Sequence, residues 1–135
     1  MKEIKKEIIE EVLDEIDSAL KDPKGIVSHQ RRLAFSLSLG VVYLIEKYLT
    51  KEKVLKSGAK INHLWFKKKK ENVKKAISRQ IISPIENVKS FDNLLDLAFE
   101  IEKDRNELAY GKSVSENIVK EKINLFLDLK KEVEK

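Results

Sequence analysis

Cysteine is absent from this chain, and histidine occurs only at His29 and His63. The first absence excludes a disulfide framework and any thiolate metal site. The second leaves too few imidazoles for a His-rich metal centre, so neither a metal nor a cofactor is expected. Four Gly and two Pro are too few for an all-β fold, whose many turns need them. They suit a few long helices joined by short loops. Long apolar runs are also missing. The longest, LAFSLSLGVVYLI from Leu33 to Ile45, falls short of the roughly 18–20 residues that cross a bilayer and reads as a buried helix. The opening MKEIKKEIIEEVLDEID is charged throughout and lacks the apolar core of a signal peptide. These features predict a soluble, cytoplasmic chain with no membrane segment.

A hydrophobic fraction of 41% supports a real core, and 38% charged residues leave a heavily charged surface. At 135 residues the chain suits one domain, residues 1–135. Its charge is uneven. The net charge is +5, but the segment Lys51–Ile82 alone carries +9. The rest of the chain is therefore acidic, and the basic excess belongs to one stretch.

Periodicity gives the elements. Ile4, Ile8, Val12, Ile16 and Leu20 recur every fourth residue, widened by Ile9, Leu13 and Ala19, and predict a first helix over 2–21 that Asp22-Pro23-Lys24-Gly25 stops. A second helix is predicted from an N-cap at Ser28 to Leu49. It is apolar nearly all round, the mark of a central helix, and Gly40 in its middle calls for a closely approaching neighbour. Residues 50–62 read as a polar turn or two of helix broken at Ser57-Gly58. Residues 61–82 carry only a broken apolar stripe, which suits a peripheral helix or two short ones. Ser90 as N-cap and Gly111 as a left-handed C-terminal cap bracket a helix over 91–110. Ser113 and Glu116 form a capping box for a last helix reaching Val133, with Val119, Ile123, Phe126 and Val133 on one face and Ile118, Leu125 and Leu129 beside it. The expectation is an all-α, up-down four-helix bundle with a short or peripheral helical segment around 51–82.

One residue violates this pattern. Stepping along the line Phe91, Leu94, Ala98, Ile101, Leu108 lands on Arg105. A guanidinium on an apolar seam needs a partner, because burying it alone is very costly. Glu102, one turn earlier, would serve as a structural partner. An anion held in a cleft would serve as a functional one, with Asn106 beside it, since the planar fork of Arg suits bidentate phosphate. The second candidate site is the lysine run. Lys67, Lys68, Lys69, Lys70, Lys74 and Lys75, with Arg79 behind and Trp65 and Phe66 ahead, either track a phosphate backbone or form a solvated face whose aromatics pack inward.

The stretch Arg105-Asn106-Glu107-Leu108-Ala109-Tyr110-Gly111, ending a long helix before a short loop and a final helix, resembles the signature of the HEPN superfamily. That family's members are small α-helical bundles, typically dimeric. Their motif is an Arg, commonly followed by Asn or another polar residue, with a His a few residues on. Many are metal-independent endoribonucleases, others are catalytically silent, and some partner minimal nucleotidyltransferases in toxin–antitoxin pairs. The resemblance implies that Arg105 binds phosphate and Asn106 orients the site. Tyr110 departs from the pattern by standing where active members keep His. Imidazole exchanges protons near neutrality, with an ordinary pKa of ~6.5, whereas a phenol near ~10 is a poor base there. Tyr110 can still donate a hydrogen bond or stack on a base. His29 and His63 are the only imidazoles that other elements could bring to the cleft. The resemblance thus implies a homodimeric RNA- or nucleotide-binding protein with weakened or lost ribonuclease activity. Its alternatives are an active toxin-type endoribonuclease and a helical partner of a nucleotidyltransferase.

Overall fold

The computed structural model describes residues 2–135, with side chains from Lys5 onward. It is all-helical, with α1 (Lys2–Lys21), α2 (Gln30–Lys51), α3 (Lys70–Ser78), α4 (Phe91–Glu102), α5 (Arg105–Tyr110) and α6 (Glu116–Glu134). Short 3-10 turns stand at Ile26–His29, His63–Lys67 and Ile85–Asn87. The expected helical bundle is present, with α3 as its peripheral segment.

α2 is the hub, packing against α1, α4, α5 and α6. Leu33, Val41, Leu44, Ile45 and Leu49 along it are almost completely buried, each worth about 1.5–3 kcal/mol against exposure. By length and composition Ile26–Lys51 would suffice to cross a membrane, but 67% of its most apolar window is buried against other helices, which is the setting of a core helix. Gly40 lets α1 and α6 close on it. A Cβ there would lie 2.6 Å from Phe126 Cε1 and 3.3 Å from Val12 Cγ2. The neighbour that the glycine called for is the fully buried ring of Phe126.

Several local expectations are corrected. In α1 the buried line is Ile9, Val12, Ile16 and Ala19, while Leu20 is exposed; Ile4 lies outside the described side chains. Ser28 does not cap α2. The chain enters through a 3-10 turn and its hydroxyl bonds Gly25 O at 2.7 Å. Residues 52–62 hold no helix, because Val54, Leu55 and Lys56 run extended beside Gln80–Ile82, joined by Lys56 N–Gln80 O and Ile82 N–Val54 O bonds of 2.8 Å. Ser90 is left-handed (φ 60°) and makes no side-chain cap. Gly111 is extended (φ −91°, ψ −166°), not left-handed. Its lack of a side chain is still needed, since a Cβ would sit 2.5 Å from Glu107 O. Ser115, not Ser113, precedes the last helix.

The largest correction lies beside Arg105. The helix expected over 91–110 is broken. Lys103 leaves the helix with ψ 132° and Asp104 adopts a left-handed φ of 63° before α5 begins. Lys122 of α6, itself buried, explains how the break is held. Its ammonium donates to Glu100 O and, at 2.7 Å, to Lys103 O, the carbonyls that the interrupted helix leaves free.

Replacing Gly40 by Ala gains up to about 1 kcal/mol of helix propensity but forces the Phe126 ring aside in a packed core, for a net expected loss of about 1–2 kcal/mol. Urea unfolding of Gly40→Ala measures it; a stabilised variant would mean that α6 does not press on α2 at this point.

Candidate functional site

Just past the break, Arg105 lies half-buried against α2, beside Leu33, Leu37 and Ile101. Its guanidinium carbon lies 5.1 Å from the centroid of the Phe35 ring, a cation–π contact. Tyr110 meets the same ring edge-on at 5.8 Å and 79°. The exposed Phe35 is thus sandwiched between the Arg and the phenol, and Tyr110 is 72% exposed. Arg105 Nη1 donates to Asn106 Oδ1 at 3.2 Å, which brings Arg105, Asn106 and Tyr110 onto one surface.

The Arg105–Glu102 partnership does not form as a hydrogen-bonded pair. Glu102 Oε2 accepts from Ser38 of α2 at 3.1 Å, while Glu102 Oε1 and Arg105 Nε are both buried without a partner. Burial pushes the Glu102 carboxyl above its ordinary range; Ser38, Arg105, Lys122 and Lys67 pull the other way without cancelling it. Glu102 and Arg105 border a cleft of about 330 Å³, whose other charged lining residues are Lys67, Lys103, Asp104 and Glu107. The formal charges balance, so a Glu102 that takes up a proton tips the cleft toward anions.

The two histidines part company. His29 is buried and fully engaged. Its Nε2 lies 2.8 Å from Asp22 Oδ2, and its Nδ1 lies 3.2 Å from Glu15 Oε1 and 3.0 Å from Arg32 Nη2. It ties α1, the following loop and α2 together rather than sitting on the surface or capping a helix. His63 is the one near Arg105. Burial lowers its pKa first, and the positive charges of Arg105 and Lys67 lower it further.

The lysine run divides. Lys67 borders the Arg105 cleft. Lys70 pairs with Asp96 at 2.7 Å, and Lys74 pairs with Asp92, so both dock α3 on α4. Lys68, Lys69, Lys75 and Arg79 are exposed. The aromatics ahead of the run serve the core. Phe66 is buried edge-on to Phe99 at 5.5 Å, and Trp65 is half-buried against the core. Phe66 is not free to stack on a base, and Trp65 keeps only part of its surface exposed.

Three participants had weak sequence signals. Phe35 is one of many apolar residues on a helix apolar all round, so its exposure was unreadable. Lys122 interrupts the stripe Val119, Ile123, Phe126, and a polar residue in that position is a readable anomaly. Gln30 is 2% exposed and clamps the loop after α5. Its amide donates to Leu108 O at 3.0 Å and Lys112 O at 3.1 Å, and its carbonyl accepts from Val114 N at 2.9 Å. Arg31 adds a bond to Gly111 O at 2.8 Å.

Removing the Gln30 clamp strands buried backbone groups, so Gln30→Ala is expected to cost on the order of 2–3 kcal/mol and to speed hydrogen exchange around 108–114; unchanged exchange there would refute the clamp. Glu102 gives a pH test. Its folded pKa is raised, so the folded state holds a proton that the unfolded chain has released, and stability falls as pH rises above the ordinary carboxyl range. Glu102→Gln should flatten that fall in urea-midpoint-versus-pH curves; parallel curves for the two proteins would contradict it. In comparisons with known proteins, no family model, no curated protein and no solved structure matches the chain.

Proposed function

We propose that the chain is a HEPN-like RNA- or nucleotide-binding protein whose ribonuclease activity is weakened or lost at Tyr110. Arg105 holds a phosphate, Asn106 orients the guanidinium, and the exposed Tyr110 hydrogen-bonds or stacks against a base. The observation that carries this reading is that Arg105 is half-buried yet bonded to no carboxylate. The guanidinium lies over the Phe35 ring and donates to Asn106, and its planar fork suits a bidentate anion. A phenol in place of an imidazole is a poor general base near neutrality, which limits base catalysis. Phe35, Leu39 and Tyr110 are exposed large side chains, a face suited to homodimer pairing that would bring two Arg105 residues together.

A second reading is an active metal-independent endoribonuclease in which His63 replaces the missing imidazole. It is favoured by the influence of the Arg105 charge on His63, second to burial in lowering its pKa. The lowered pKa keeps that ring neutral, and so able to accept a proton, to lower pH than usual.

Anisotropy with a labelled single-stranded RNA and a cleavage assay in chelator separate the two. The wild type is expected to bind without cutting. Arg105→Ala should weaken binding about ten- to a hundredfold, the loss of one charge-assisted contact. Tyr110→His should introduce cleavage. Cleavage by the wild type that His63→Ala abolishes would establish the second reading instead, and failure to bind RNA even at low salt would end the nucleic-acid reading.

A further inference from the structure

Where the start of α1 runs beside the last turns of α2, a cleft of about 480 Å³ is lined by Lys5, Lys6, Lys47, Thr50, Lys51 and Lys53. Five lysines and a threonine border it, and none of the described lining residues is acidic. Their partners lie outside the lining and are weak or already shared. Lys5 stands 3.5 Å from a Glu46 carboxylate whose other oxygen accepts from Ile61 N at 2.7 Å. Lys47 is 3.9 Å from Glu134, and Lys51 donates to the carbonyls of Val133 and Lys135. Lys6 and Lys53 make no ion pair among the described residues. The residues come from KEIKKE and EKYLTKEK, two stretches apart in sequence and both outside the obvious lysine run. Folding brings lysines of two separated stretches together here; in the run Lys70 and Lys74 are paired, and Lys68, Lys69, Lys75 and Arg79 stay exposed.

Like charges gathered in one cleft raise the free energy of the fold unless an anion offsets them. The volume falls within the roughly 300–1,000 Å³ of ligand clefts. Lysines are point charges without the directional fork of Arg, and no aromatic side chain lines the cleft. Such a lining recognises charge density and not a base. We propose that this cleft binds a run of phosphate groups, with Thr50 as a hydroxyl donor among the ammonium groups. The proposal does not depend on Arg105. Along α2, Ser38 beside the Arg105 site and Thr50 in the cleft are about 18 Å apart. The run of phosphates belongs either to a small polyphosphorylated molecule or to a nucleic-acid backbone.

The test compares the full chain with two triple variants of equal charge loss. One is Lys6→Gln, Lys47→Gln and Lys53→Gln in the cleft; the other is Lys68→Gln, Lys69→Gln and Lys75→Gln on the run. Inorganic tripolyphosphate is titrated calorimetrically at about 50 mM salt, with thermal unfolding to verify folding. The cleft variant should bind about tenfold or more weakly, and the run variant within about twofold of the wild type. A labelled single-stranded RNA of about twelve nucleotides distinguishes the sources. RNA weakened in parallel by the cleft variant, and displaced by tripolyphosphate, assigns the site to a backbone; RNA binding unmoved assigns it to a small molecule. The proposal is overturned if the wild type does not bind tripolyphosphate, if the cleft variant binds it as the wild type does, or if the two variants weaken it equally, which would reflect bulk charge alone.

Discussion

Phe126 can press its ring onto α2 only because residue 40 carries no side chain, and the rest of the bundle is arranged around that contact. It brings α6 to the middle of α2 while Val12 of α1 closes on the same point. With both neighbours so near, α2 has apolar partners on almost every side, and its near-continuous apolar surface becomes the core. The cost in helix propensity at one glycine is small beside the burial that it permits.

The placement of α6 also sets the candidate site. From that position Lys122 reaches the carbonyls of Glu100 and Lys103 and stabilises an interruption that the apolar pattern of residues 91–110 does not announce. A continuous helix would carry Arg105 along the seam. With the break and a left-handed Asp104, its Nε stays buried while its guanidinium lies over Phe35. Gln30 and Arg31 then hold the loop after α5 to the start of α2, which keeps Tyr110 against the other edge of the same ring. Three polar residues, Lys122 on α6 and Gln30 and Arg31 on α2, thus fix the site, and only Arg31 among them is exposed.

Charge is redistributed by folding. The most basic stretch of sequence spends part of its charge on docking α3 to α4 through Asp92 and Asp96. A second collection of cations forms where lysines of the start of α1 and the end of α2 meet. Near Arg105 the balance is close to neutral, and the buried Glu102 carboxyl, raised by desolvation, is the group able to shift it.

The sequence by itself determined the helical class, the extent of α1 and the central role of α2. Each follows from periodic burial, and apolar spacing records that directly. It also marked Arg105 as a residue in need of a partner and Gly40 as a point of close approach. It misread the caps at Ser28, Ser90, Gly111 and Ser113, because cap residues compete with other turn geometries of similar energy and neighbours decide among them. Only the tertiary structure decided what Arg105 touches, that His63 and not His29 lies near it, that Trp65 and Phe66 face the core, and where the lysines gather. The reason is physical. Periodicity encodes which face of a helix is buried, but contacts between side chains distant in sequence depend on how helices cross and where they break, and here a glycine notch and a buried lysine on a different helix set both.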